Sequence, residues 1–261
     1  MSKVIVNGEL YDEVEVNISL LNRDMQLGLS VFETMLALDG EIDGFDLHLM
    51  RFQDGMDRLG IAMEGFEELD VCVADLLEAN DLVGVRAKVR MTAMNEIFWI
   101  EAMEVPEREP VVSVILSQFI LNERSPVAGI KCGSYAPNFM ALHEAHQSGA
   151  NEVVFLNSVG EVAEAATANI FIVKDGVLIT PRLESGCLPG VTRALVLERA
   201  ENNGIQVEER AVSIEELLDA DEMFLTNTNI GVQAVDRIGE LEFSNCPGVV
   251  TTQIRALHIA K

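Results

Sequence analysis

Ala168-Asn169-Ile170-Phe171-Ile172-Val173-Lys174-Asp175-Gly176-Val177-Leu178-Ile179-Thr180 reads as two apolar strands, 168–173 and 177–180, joined by a Lys-Asp-Gly hairpin turn. Downstream, the pattern predicts a helix over 192–202, a strand over 207–211, a short helix over 214–218 and a strand over 222–226. Upstream, it predicts a helix near 140–146 and a strand over 152–156. Strands and helices therefore mix along this half, which makes it a mixed α/β domain.

The preceding half has a different rhythm. Asn7-Gly8 divides two short apolar runs, a strong hairpin signal, and Asp39-Gly40 follows a predicted strand over 31–38 in the same way. Phe45, Leu49, Phe52, Met56 and Leu59 recur at steps of four and three, one face of an amphipathic helix. A second helix is expected over 67–79, then strands over 86–93, 97–103 and 111–117, the last nearly all apolar and so central. Asn122-Glu123-Arg124-Ser125-Pro126 continues neither a strand nor a helix. The expected organisation is an α+β domain over 1–119, a linker over 120–126 and a larger mixed domain over 127–261, with no internal repeat.

The 261 residues allow one large or two modest domains at about 150 residues each. With 49% hydrophobic residues, 19 glycines and 7 prolines, extended disorder and collagen-like repetition are excluded. The net charge of −25 repels phosphate backbones and anionic membranes, so no nucleic-acid or membrane partner is expected. Cys72, Cys132, Cys187 and Cys246 stand far apart without a C-x-x-C pair, which implies reduced thiols, no metal site and a cytoplasmic setting. Neither a signal-peptide core nor an apolar run long enough to span a bilayer is present.

Of the five lysines, Lys3 and Lys261 are terminal, Lys174 sits in a turn and Lys88 lies mid-strand. Lys131 follows Val127-Ala128-Gly129-Ile130 and is bracketed by Gly129 and Gly133, where missing side chains would let another molecule approach the backbone. Such surroundings favour the neutral amine that attacks carbonyls, although a solvated lysine at a strand end fits the same residues. Leu188-Pro189-Gly190-Val191-Thr192-Arg193 is a turn leading into a helix, and either an anion site or a plain N-capped helix reads equally from it. Glu164 stands among small residues before a core strand, and Thr226-Asn227-Thr228-Asn229 ends another; each is a ligand contact or an ordinary turn. His143-Glu144-Ala145-His146 is not a zinc motif and reads as a solvated helix face, while Cys132 reads as a small buried filler.

Val31-Phe32-Glu33-Thr34, His48-Leu49-Met50-Arg51-Phe52, Gly129-Ile130-Lys131, Glu164 with Asn169-Ile170-Phe171, Leu188–Arg193 and Ala220-Asp221-Glu222 together resemble the class IV aminotransferase family. These fold-type-IV pyridoxal phosphate enzymes include branched-chain and D-amino acid aminotransferases and 4-amino-4-deoxychorismate lyase. The resemblance implies a two-domain α+β and mixed α/β fold and a homodimer with its active site between domains. It implies that Lys131 forms an aldimine with pyridoxal 5′-phosphate, that Tyr135 bonds the phenolic oxygen and that Glu164 keeps the ring nitrogen protonated. Arg51, Val191, Thr192 and Thr228 would hold the phosphate. Phe32 would lie on the substrate side, with Arg90 or Lys88 on a substrate carboxylate. The implied activity exchanges an amino group between an amino acid and a 2-oxo acid. The alternative, towards which Thr180-Pro181-Arg182-Leu183 leans, is the lyase that releases pyruvate and 4-aminobenzoate, and a degenerate inactive member is a third. Two departures stand out: Leu27-Gly28-Leu29-Ser30 replaces an aromatic-Gly-Asp-Gly turn, and Asn95-Glu96 replaces Arg-Gly.

Overall fold

Asn7 and Gly8 have φ of 48° and 85°, and Asp175 and Gly176 have 50° and 79°. Two successive positive φ angles make the hairpin turn whose twist matches that of the strands it joins, which is why Asn-Gly and Asp-Gly are legible turn signals. The computed structural model describes residues 2–62, 68–107 and 109–259, and these divide into two units.

Among the described residues, the first unit comprises 2–62, 68–107 and 130–134. It contains β1 (Lys3–Val6), β2 (Glu9–Asp12), α1 (Arg23–Leu27), β3 (Val31–Leu38), β4 (Glu41–Ile42), α2 (Phe45–Leu59), α3 (Leu69–Ala79), β5 (Ala87–Met94) and β6 (Ile97–Glu104). The strands form an antiparallel six-stranded sheet in the order β2-β1-β6-β5-β3-β4. Its core takes Val31, Met35, Val89, Met91, Phe98 and Ile100 from the sheet and Phe52, Met56, Leu76 and Leu77 from α2 and α3. Each such side chain contributes about 1.5–3 kcal/mol by leaving water. The expected helix over 67–79 is α3; Glu67 lies outside the described residues.

The second unit comprises residues 109–129 and 135–259. It runs through β7 (Val111–Leu121), α4 (Ala136–Gln147), β8 (Glu152–Asn157), β9 (Val162–Ala165), β10 (Asn169–Lys174), β11 (Val177–Pro181), α5 (Val191–Asn202), β12 (Val207–Arg210) and α6 (Ile214–Leu218). It ends with β13 (Glu222–Asn227), β14 (Gly231–Ile238), β15 (Leu241–Glu242) and α7 (Val249–Ile259). The sheet has nine strands in the order β12-β11-β10-β13-β14-β7-β8-β9, with β15 on β14. One face gathers Val114, Val154, Ile170, Ile172, Leu225 and Val235. On the other face Phe171 and Phe224, paired across β10 and β13 with centroids 4.9 Å apart, pack with Val196 of α5 and Ile254 of α7.

Contacts divide the chain differently from the expected 1–119, 120–126 and 127–261. β7 is central as read, but it pairs in parallel with β14 and β8, so it belongs to the second sheet. Parallel neighbours come from distant sequence, which a local reading assigns to the nearest meander instead. Residues 130–134 return to the first unit because the Phe32 amide donates to the Lys131 carbonyl at 2.9 Å and Gly133 donates to Ser30 at 2.7 Å.

Candidate active site

Strand alternation decides the first half of the site. In β3, Val31, Glu33 and Met35 point to one face and Phe32, Thr34 and Leu36 to the other. Glu33 is fully buried on the face covered by α2. His48 and Arg51, three residues apart on α2, share the helix face that meets it. The Arg51 Nε and Nη2 groups both donate to the Glu33 carboxylate at 2.7 Å, and His48 Nδ1 lies 2.8 Å from it. Burial pushes the Glu33 carboxyl up, but the bonds and charges of Arg51 and His48 outweigh it and bring it down to about 2. Burial, countered by Glu33 and aided by the charges of Arg51 and Lys131, holds His48 below its usual range, so a neutral imidazole donates from Nδ1. The result is an arginine whose fork is fixed by a bidentate carboxylate.

Lys131 is placed by its backbone. Its carbonyl accepts from Phe32, and the next residue, Cys132, bridges antiparallel to Val31, so residues 131–133 lie alongside the start of β3. Lys131 Nζ sits 4.4 Å from the centroid of the Phe32 ring, and Arg90 Cζ lies 3.8 Å over the same ring. Arg90 also faces Glu101 at 3.9 Å. Lys88 shares the face of Arg90 on β5, opposite Leu36 and Met103. One correction concerns Gly133: a Cβ there would meet Ser30 Oγ at 2.2 Å, so this chain's own Ser30 occupies the space expected to admit another molecule. Cys132 is a buried filler, as read. Asn95, at the departure from Arg-Gly, is held by Asp24 through its amide at 3.1 Å and its side chain at 2.9 Å.

The second unit carries the remaining candidates. Glu164 on β9 accepts from the Leu188 amide at 2.8 Å, and the Leu188 carbonyl accepts from Asn169 Nδ2 at 2.8 Å. Gly190 follows, and a Cβ there would lie 2.0 Å from Asn169 Oδ1, so only glycine lets the loop pass this close. α5 begins at Val191 without a side-chain cap, which leaves the first-turn N–H groups of Val191 and Thr192 as the donors of its positive end. Arg193 turns away to the Pro181 carbonyl at 2.9 Å and Glu209 at 2.7 Å. Tyr135 stands at the start of α4, and Thr228 lies in the turn after β13 where Asn227 Oδ1 accepts from Ile230 at 3.0 Å. His143 and His146 are exposed on α4 as read. Burial pushes the Cys187 thiol up to about 12, so it remains a neutral thiol.

Sequence reasoning quotes Glu33 and His48 within family motifs but gives neither a role, although a glutamate at the inward parity of an apolar strand, followed by H-x-x-R on a helix, is a readable sign of a buried charged cluster. It also passed over Glu152 and Asn138, and read Asn227 only as part of a ligand contact or a turn, because their bonding partners lie 14, 28 and 60 residues away.

The first unit thus sets Lys131 and Arg90 on one phenyl ring, and the second sets the Glu164 carboxylate on the loop that leads to an uncapped helix start. The model of the family described as amino-transferase class IV matches residues 30–238, and the chain belongs to that family. The chain is similar to a probable branched-chain-amino-acid aminotransferase of Thermotoga maritima, 31% identical over 93% of this chain and 89% of that protein. It is 26% identical to the aminodeoxychorismate lyase of Bacillus subtilis, covering 98% of this chain and 93% of the relative. Among solved structures, the branched-chain aminotransferase of Thermoproteus uzoniensis with norvaline superposes with a TM-score of 0.92 at 28% identity, covering 98% and 93% of the two chains. The expected fold class is thus found.

Proposed function

We propose that this chain transfers an amino group between an amino acid and a 2-oxo acid with pyridoxal 5′-phosphate as its cofactor. The observation that carries the reading is the seating of Lys131 Nζ and the Arg90 guanidinium on one Phe32 ring, at 4.4 and 3.8 Å. An amine and a guanidinium held on one ring suit a substrate whose reacting carbon carries a carboxylate. The donor set also fits the cofactor: α5 starts without a side-chain cap, which suits a phosphate, and the Glu164 carboxylate suits a protonated ring nitrogen.

When bound, pyridoxal phosphate supplies a carbonyl carbon and an electron-accepting ring. Lys131 Nζ would hold that carbon and, once the substrate amine has displaced it, the freed amine would move a proton from and to the α carbon of the substrate. Glu164, with one oxygen held by the Leu188 amide, would hold the proton on the ring nitrogen. Tyr135 would donate to the phenolic oxygen. Val191 and Thr192 amides, Thr228 and the Glu33-fixed Arg51 would hold the phosphate. Arg90 would bind the substrate carboxylate, with Lys88 the alternative, and Phe32 would shield Lys131 from water.

The lyase reading is supported by the Bacillus subtilis relative and by Thr180-Pro181-Arg182-Leu183. A panel of L- and D-amino acids mixed with the cofactor-loaded protein separates the two. Transfer converts the cofactor from its aldehyde to its amine form, read as an absorbance shift, whereas the lyase releases 4-aminobenzoate from aminodeoxychorismate and leaves the panel unchanged. No response in either assay sinks both.

A homodimer is part of the proposal. Leu20, Leu21, Met25 and Leu27 are 78%, 85%, 51% and 56% exposed in and just before α1, an apolar patch suited to a second copy. Four free cysteines accord with a reducing, cytoplasmic setting. No helix among the described residues is long and apolar enough to cross a membrane.

A further inference from the structure

Glu152 has no part in the chemistry assigned above, yet it is buried, 5% exposed, at the start of β8. Its Oε1 accepts from the Val153 amide at 2.9 Å and the Ala166 amide at 3.1 Å. Its Oε2 accepts from the Thr167 amide at 3.1 Å and the Thr167 hydroxyl at 2.6 Å. Four donors fill the acceptor sites of an ionised carboxylate. Placing a carboxylate out of water is costly, and apolar residues of similar size commonly serve stability as well or better. What such a carboxylate supplies is geometry: it fixes the peptides of residues 165–167, immediately after Glu164.

The same turn is tied outward on two sides. The Ala166 carbonyl accepts from Asn138 Nδ2 at 2.9 Å, and Asn138 lies on α4 three residues after Tyr135. The Thr167 carbonyl accepts from Asn227 Nδ2 at 3.0 Å, and Asn227 immediately precedes Thr228. Ala165 donates back to Ala168 at 2.8 Å and closes the turn. Tyr135, Glu164 and Thr228 are thus one to three residues removed from a single hub.

We infer that Glu152 is a positioning residue that sets Tyr135, Glu164 and Thr228 relative to one another through the 165–168 turn and its two asparagine spokes. The inference rests on the assignment of those three residues to the cofactor. It is tested by titrating cofactor-free protein with pyridoxine 5′-phosphate, which lacks the aldehyde and cannot join Lys131, and reading the dissociation constant from fluorescence. Glu152→Gln sets an amide NH2 against backbone donors and is expected to weaken binding about tenfold, the equivalent of 1.4 kcal/mol. Asn138→Ala and Asn227→Ala each remove one spoke and are expected to weaken it about threefold, while the melting temperature of the unliganded protein moves little; they carry the test should E152Q not fold. The pH titration of the bound ring's absorbance reports the ring-nitrogen proton, and E152Q is expected to move it to lower pH as Glu164 is displaced. Glu222→Gln is the control: Glu222 accepts from the Val250 and Thr251 amides at 3.0 and 2.7 Å to start α7, so it should lower stability without moving either readout. Unchanged binding in E152Q, N138A and N227A, with E164Q and T228A weakened, overturns the inference and leaves the cofactor assignment standing. If E164Q and T228A are also unchanged, the assignment falls and takes the inference with it.

Discussion

Glu33 in the first unit and Glu152 in the second are carboxylates withdrawn from water to almost the same degree, 0% and 5% exposed, yet their protonation moves in opposite directions. Burial raises both. At Glu33 the guanidinium of Arg51, with help from His48, overrides burial and brings the carboxyl to about 2. At Glu152 the partners are backbone amides and one hydroxyl, and burial prevails over them, leaving the carboxyl above its usual range. A full opposite charge at hydrogen-bond distance offsets desolvation, whereas four dipoles do not.

The sharpest way to break this comparison is Glu33→Gln, which leaves the Arg51 guanidinium without its counter-charge. Removing one partner of a buried pair costs about 3–5 kcal/mol, and a urea midpoint that barely moves would show that the pair is not the anchor described. The pH dependence follows with opposite signs. Glu33 titrates lower in the fold than its ordinary 4.5, so its contribution is complete above that value and is lost as pH falls towards about 2. That amounts to about 3 kcal/mol at 1.36 per unit. His48, neutral in the fold, adds a loss that begins as pH falls below its ordinary 6.5. Glu152, raised above 4.5, carries a burial penalty that is absent in acid and grows as pH rises. The stability gap between wild type and E33Q should therefore widen from pH 2 to 4.5, and that between wild type and E152Q should narrow above 4.5. Parallel slopes would erase the contrast.

Glu152→Gln at neutral pH is expected to cost less than E33Q, about 1–3 kcal/mol, because the loss is one of hydrogen-bond pairing and not of a counter-charge. The smallest effect belongs to an exposed pair. Arg182 and Glu161 meet at 3.0 Å with side chains 46% and 23% exposed, so Arg182→Ala should change stability by about 1 kcal/mol or less and should be sensitive to salt. A larger loss would mean that exposure, and not partner charge, is the poorer guide.

Much of the fold was legible because its signals are local. Asn7-Gly8 and Asp175-Gly176 carry their turn geometry in two residues, and the helix of Phe52 and Met56 carries its period in fifteen. α7 was not legible, since its start is held by Glu222 from a strand 28 residues earlier. β14 was missed where Gly231, Gln233 and Asp236 interrupt the apolar run that pairing with β13 and β7 completes. At the site, Lys131 stood out because lysines are few and the others have plain contexts. Gly133 was misread because a missing side chain tells of a close approach but not of what approaches, and here it is Ser30.

The sequence by itself determined the turn chemistry, the periodicities, the acidic surface and the family motifs, because each is written in neighbouring residues or in composition. Tertiary structure alone decided that β7 joins the second sheet, that Arg51 is locked by Glu33 and that Arg90 and Lys131 share Phe32. These outcomes depend on which distant segments meet and on how much water leaves when they do, and neither quantity is carried by any short stretch of chain.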